Sequence, residues 1–351
     1  MTTKYGDISP RTAAYVVKEL LTRGAPLLVF ELFGQAKPLP MNSSKAIKFR
    51  RYYMDGSDLS SFTPQTYYDS NNMDPTQKVL TEGVTPTPTS INYEDISATL
   101  VQYGDLIQIS DVISDTHEDR ILNECIDMLS EQAPVLLEKA RFNVLKAGTN
   151  VAYANGSARS SVNSVFAVGD QRTAVRALKR QLARMITRVV GSTPDYGTES
   201  VAGGFISVCH TDLEYDIRSS TGFIPAENYH QTKPFEGEIG KISDVRYILT
   251  TIAEPWTEVG AAGATGGDNV IENANNEAHV YPILYLAKDA YGLVPLKGKK
   301  AIMPMVSNAK VSPSDPLAQR SYISWKAYQT TVILSEPWMY RLEVACTDSL
   351  T

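Results

Sequence analysis

Residues 54 to 76, MDGSDLSSFTPQTYYDSNNMDPT, carry neither the two-residue period of a strand nor the 3.6-residue period of a helix. Loops longer than ~12–15 residues are uncommon inside compact domains and are usually functional or disordered. On composition alone the stretch reads as disordered. Its aromatics, Phe62, Tyr67 and Tyr68, favour a segment that packs on another surface. The strand-like, basic run KAIKFRRYY precedes it, and QKVLTEG is placed to return alongside, with TPTPTS as an extended exit. Residues 45–97 are therefore expected to form a long projecting hairpin with no core of its own.

The segment before it has the same character. Ser9 followed by Pro10 suits a helix N-cap with proline at the first helical position. Tyr15, Val16, Glu19 and Leu20 continue the turns, and Gly24 with Pro26 ends them. LLVFELFGQAKPLP then follows, apolar but broken by glycine and prolines, as expected of an arm lying on a neighbouring surface.

A core is predicted further on. GDLIQIS alternates as a half-buried strand. Thr116 and Asp119 resemble a helix start, after which Ile121, Cys125, Met128, Leu129, Leu136, Leu137, Ala140 and Val144 recur at helical spacing until Gly148. From His117 to Ala147 this is ~45 Å of helix at ~1.5 Å per residue, a spine with Pro134 as a point of kinking. RTAVRALKRQLARMITRVV predicts a second helix, FISV a strand, TDLEYDIR a helix and DVRYILT a strand. Residues 259–278 read as a flexible surface loop, and SYISWKAYQTTVIL and YRLEVAC as closing strands.

With 351 residues, 43% hydrophobic and 21% charged, the chain has room for two cores or one core with large excursions. Thirty-three basic against 39 acidic side chains give a net charge of −6, which argues against a protein whose main task is coating nucleic acid. Three dispersed cysteines make neither a zinc knuckle nor a disulfide framework and suit a reducing cytoplasm. No secretory signal opens the chain and no apolar run approaches the ~20 residues that cross a bilayer, so no membrane partner is expected.

The candidate chemistry is sparse. Cys209-His210-Thr211-Asp212 has the residue types of a thiol or metal hydrolase, the one catalytic alternative. Strand neighbours point to opposite faces, however, so Cys209 and His210 diverge if both are extended. Thr211 and Glu214 make a capping box, Asp212 meets the positive end of the helix dipole, and only His210 lacks a structural role. His117-Glu118-Asp119 has no HExxH partner, His230 and His279 stand alone, and GxSxG, P-loop and GxGxxG patterns are missing. No cofactor, metal or catalytic residue is expected. Arg172, Arg176, Arg180, Arg184 and Arg188 recur every four residues as a drifting stripe opposite Val175, Leu178, Leu182, Met185, Ile186 and Val189. The stripe faces either phosphates or solvent and a neighbouring subunit's acids.

Several stretches carry a resemblance. ISPRTAAYVVKELL, FGQAKPLPMNSSKAIKFRRY, LTEGVTP, QYGDLIQISDVISDTHED, VLKAGTNVAYANG, VCHTDLEYDIRSSTGFIP, GEIGKISDVRYILT, AYGLVPLKGK and WKAYQTTVIL resemble, collinearly, the major capsid proteins of tailed bacteriophages of the N-four type. The resemblance implies an α+β chain with the Hong Kong 97-type capsid fold. It implies an N-terminal arm (1–44), an extended loop (45–97), a peripheral domain with the spine helix (98–150), an axial domain (151–300) and peripheral return strands (301–351). Residues 53–78 have no counterpart in the family pattern.

It further implies hexameric and pentameric capsomers of one chain, in a virion shell assembled in a bacterial cytoplasm. Portal, scaffolding and decoration proteins would be partners, with double-stranded DNA inside. Lys45, Lys48, Arg50 and Arg51, with the loop aromatics, become intersubunit candidates, matched to acidic neighbours such as the start of the spine helix. No crosslinking motif carries over, so a noncovalent shell is expected.

Overall fold

A computed structural model describes residues 28–42, 44–54, 79–86, 88, 91–116, 121–190, 198–229, 234–262, 270–297, 302–307, 309, 311 and 316–348. The helix expected at 9–24, the loop aromatics Phe62, Tyr67 and Tyr68, the His117-Glu118-Asp119 triplet and His230 lie outside the described residues.

A five-stranded sheet is organised by β14 (Arg320–Ile333). Along one side β4 (Val101–Ser110) pairs antiparallel from Gln329 to Arg320. The other side carries β13 (Met303–Ser307) and β12 (Tyr291–Pro295), and β12 receives the two-residue β1 (Gln35–Ala36) in parallel. Ile323, Trp325 and Ala327 recur every second residue on β14, which turns all three to one face. That face meets the spine helix α3 (Ile121–Lys146) through Ile126, Leu129, Ala133 and Leu137. Their spacings of three and four keep them on one stripe. The helix continues through Pro134, and a short helix α2 (Asp111–Thr116) precedes it. Residues 28–33 end in α1 (Phe30–Phe33), whose Phe30 and Phe33 are buried.

An eight-stranded sheet forms the larger core. Its order is β5 (Val151–Tyr153), β15 (Met339–Val344), β11 (Tyr281–Leu286), β7 (Thr198–Cys209), β10 (Val245–Leu249), β9 (Glu238–Ile242) and β8 (Phe223–Pro225), with β6 (Ile186–Val190) also paired to β7. Both faces are covered, so β11 and residues 204–209 of β7 are buried continuously rather than in alternation. Phe205, Cys209, Ile283 and Tyr285 face α4 (Val168–Arg180) and α5 (Glu214–Ser219). Ile206, Val208, Leu284 and Leu286 face Phe142 and Leu145 of α3 and Phe30 of α1. The C-terminal end of the spine and the 28–33 segment thus close the space between the two sheets. Strand membership crosses residue 300 in both directions: β12 lies in the five-stranded sheet and β15 in the eight-stranded one.

Two expectations are corrected. The strand that returns beside β2 (Ala46–Met54) is β3 (Ile91–Thr99), paired from Ala46↔Thr99 to Met54↔Ile91, and not QKVLTEG. Val79 and Leu80 are exposed and Gly83 turns the chain at φ 77°, whereas INYEDISAT alternates and puts Ile96 and Ala98 on the packed side. The second helix stops at Arg180 and does not reach Val190. Leu182 adopts φ 55°, and the β-branched run Ile186, Thr187, Val189 and Val190 becomes β6. Leu182, expected on the buried face, is exposed.

Candidate functional site

Cys209 ends β7 fully buried, its Sγ 3.8 Å from the Ile248 carbonyl oxygen. Burial alone pushes its thiol well above the usual range, so it is a poor nucleophile. His210 leaves the strand and turns outward. Its Nδ1 accepts from the Asp212 amide at 3.2 Å and stands 3.1 Å from Asp212 Oδ2. Tyr281 Oη donates to the same Oδ2 at 2.8 Å and packs its ring 5.6 Å from the imidazole. The cap of the turn Thr211–Leu213 is thus His210, and the expected Thr211–Glu214 capping box is not made, because Glu214 accepts instead from Arg218 Nε at 2.6 Å. His210 does the structural work assigned to its neighbours, and no Cys–His pair forms. Among the described residues no three His, Cys, Asp or Glu side chains gather as metal ligands.

The hairpin β2–β3 is anchored at its base. Phe49, Ala98 and Leu100 are buried with Leu39 and Val294, and Gly292 leaves room for the Phe49 ring. Among the described residues β2 and β3 pair with each other and with no third strand. On the outward side Arg50 grips Asp95 with two parallel bonds, Nε–Oδ1 2.7 Å and Nη2–Oδ2 2.9 Å, and lies 4.3 Å from the Tyr93 ring centre. Lys48 Nζ adds a contact to Asp95 at 3.6 Å. These cations, led by Arg50, hold the Asp95 carboxyl below its usual range. Lys45 is exposed, and Arg51 stands opposite Glu94 in the register. Part of the basic strand is therefore satisfied across its own hairpin.

The arginine stripe is divided. Arg172, Arg176 and Arg180 sit on the exposed side of α4, Arg184 is exposed in the following turn, and Arg188 lies on β6. α4 and the Ser243–Asp244 turn border a groove of about 490 Å³, closed at one point by an ion pair between Lys179 and Asp244.

Two of the buried charge networks join distant parts of the chain and were not legible as sites. Glu138 and Arg141, on the buried side of α3, pair with each other; Glu138 Oε2 accepts the Phe30 amide at 3.0 Å, and Arg141 Nη2 reaches Gln329 Oε1 at 2.6 Å and Glu31 Oε2 at 3.3 Å. Burial raises the Glu138 carboxyl, with Arg141 pulling the other way. Glu343, fully buried on β15, holds Arg159 at 2.7 Å and Arg341 at 2.9 Å, while Arg159 stacks 3.5 Å from the Trp256 ring centre. Both networks join elements and neither opens to a substrate-sized cleft.

No protein-family model matches the chain, and no curated protein matches its sequence. Solved structures match it nearly end to end. The capsid of Ralstonia phage GP4 aligns with a TM-score of 0.59 at 10% identity, covering 90% of this chain and 88% of that one. The capsid asymmetric unit of cyanophage Pam1 aligns with a TM-score of 0.59 at 10% identity over 93% of each chain. The capsid of cyanophage P-SCSP1u gives 0.55 at 12% identity over 91% and 89%. The chain thus shares the mixed α+β fold of these phage-capsid chains.

Proposed function

We propose that the chain is the major capsid protein of a tailed double-stranded DNA phage, self-assembling through quasi-equivalent contacts into an icosahedral shell. The observation that carries this reading is the fold it shares over about nine-tenths of its length with chains of phage capsids. The hairpin supports it independently. A two-stranded ribbon is marginal alone in water, and among the described residues this one pairs with no third strand and packs on its own chain through Phe49, Ala98 and Leu100. A neighbouring copy would cover the remainder, and a specific interface needs roughly 1,200–2,000 Å² of buried surface. In this reading residues 1–44 are the arm, 45–97 the extended loop, 98–150 and 301–351 the peripheral domain, and 151–300 the axial domain of a Hong Kong 97-type subunit. Capsomers are hexamers and pentamers, and portal, scaffolding and decoration proteins are the further partners. The subunit works by shape and carries out no reaction, and the burial of Cys209 supports that.

Electron microscopy of the purified full-length chain tests the reading, with closed particles expected. A chain that stays a monomer or small oligomer across salt and crowding conditions refutes it. R50E/R51E breaks the Arg50–Asp95 clamp and reverses the outer charge of the hairpin. It is expected to lower particle yield while the subunit stays folded. Unchanged yield and particle melting would remove the hairpin's charge from the assembly mechanism.

A further inference from the structure

Among the described arginines, two sets contrast. Arg50, Arg141, Arg159, Arg218, Arg246 and Arg341 each hold a carboxylate. Arg172, Arg176 and Arg180 are exposed and pair with no carboxylate among the described residues. In a chain of net charge −6, three exposed guanidiniums in one row leave a cationic surface open to an anionic partner.

The row discriminates between kinds of anion. Protein interface cores are depleted of charge and rich in aromatic and apolar side chains. Here the exposed face of α4 carries guanidiniums, and the only large exposed apolar neighbour is Leu182, beyond the helix. Lys179 is tied to Asp244, which cancels the one carboxylate lining the groove. Arg172 to Arg180 spans ~12 Å at ~1.5 Å per residue. A DNA duplex presents one charge per ~1.7 Å of axis, so the row lies along about seven of them.

We propose that α4 is a contact for the phosphate backbone of double-stranded DNA, made without sequence selectivity by Arg172, Arg176 and Arg180. It deepens the shell reading, which supplies the DNA, but its chemistry is testable on the subunit. Guanidinium is suited to phosphate because its planar fork makes two parallel bonds to one anion.

The test is fluorescence anisotropy of unassembled full-length chain with a labelled 30-base-pair duplex between about 50 and 200 mM salt, beside particle imaging. Three phosphate contacts contribute a log–log salt slope of about −2.7, or about 40-fold in affinity over that range. R172Q/R176Q/R180Q is expected to lose that share of the slope and keep wild-type particle yield, while R172K/R176K/R180K keeps most of the slope. A glutamine variant with an unchanged slope, or a wild-type chain that ignores the duplex, overturns the proposal. Loss of particles with the slope intact also overturns it, and assigns the row to acids of a second copy. Duplex binding that tracks the arginines in a chain that forms no particles sinks the shell reading and leaves this contact standing.

Discussion

Replacing Arg141 by methionine is expected to destabilise the folded chain by about 3–5 kcal/mol, the usual consequence of removing one partner of a buried ion pair. Methionine fills most of the space, so the transfer term is small and the loss is electrostatic. The Arg141 side chain is 6% exposed and that of Glu138 not at all. Without the guanidinium, Glu138 keeps only the Phe30 amide, and Gln329 and Glu31 lose their shared donor. Glu138 has one escape, which is to take up a proton. From an ordinary glutamate value of ~4.3, protonation at pH 7 costs about 4 kcal/mol, which bounds the penalty within the same range.

The pH dependence has a definite sign. Burial raises the folded-state value of Glu138 above its unfolded value, and losing Arg141 raises it further. The folded variant then binds more protons than the unfolded one, so its stability falls as pH rises above the ordinary carboxylate range. The deficit should be smallest near pH 4–5 and largest from neutral upward, with a slope of at most about 1.4 kcal/mol per pH unit. Guanidinium unfolding followed by tryptophan fluorescence is a suitable assay, since Trp325 is 2% exposed beside α3 and bonds Gln132 at 3.2 Å. E138Q/R141M should recover at least half of the loss and abolish the slope. An R141M variant within ~1 kcal/mol of wild type at pH 7, or one whose deficit grows on acidification, refutes the reasoning.

Cys125, Cys209 and Cys346 are all buried, so alkylation of the native chain should be slow and should rise to three thiols only on unfolding; rapid native labelling of Cys209 would revive a nucleophile there. His210→Ala should lose about 1 kcal/mol with the cap, and His210→Asn should restore most of it, as measured by thermal melting. A Cβ at Gly260 would lie 2.6 Å from the carbonyl oxygens of both Ala278 and Val162, so Gly260→Ala should lower the melting temperature by several degrees; an unchanged melt would show that this backbone crossing yields freely. Phe30→Ala, at a fully buried ring stacked 5.9 Å from Phe142, should cost about 3–5 kcal/mol and expose the 28–39 segment to proteolysis before the remainder.

The arginine spacing shows why some of this was legible and some was not. A repeat of four residues is close to one helical turn and is also two strand repeats, so Arg184 and Arg188 fitted a helix they do not belong to. Residues 181–185 separate α4 from β6, turned at the left-handed Leu182, and no glycine or proline marks the break. The return strand was misplaced for a similar reason: QKVLTEG and INYEDISAT both accept a strand period, and the pairing depends on which apolar face meets Phe49. His210 was left without a role because a histidine cap gives no sequence signature, whereas Thr and Glu three residues apart do.

By itself the sequence determined the local quantities. These were the long apolar stripe of the spine and the alternation of β14. Each depends on neighbours within a few turns, where period and propensity act. Tertiary structure decided which charges are satisfied. Arg50 found Asp95 45 residues away, Arg159 found Glu343 184 away, and Arg141 found Glu31 110 away, while Arg172, Arg176 and Arg180 pair with no carboxylate among the described residues. Ion pairing depends on distance in space and on burial, and neither is written along the chain.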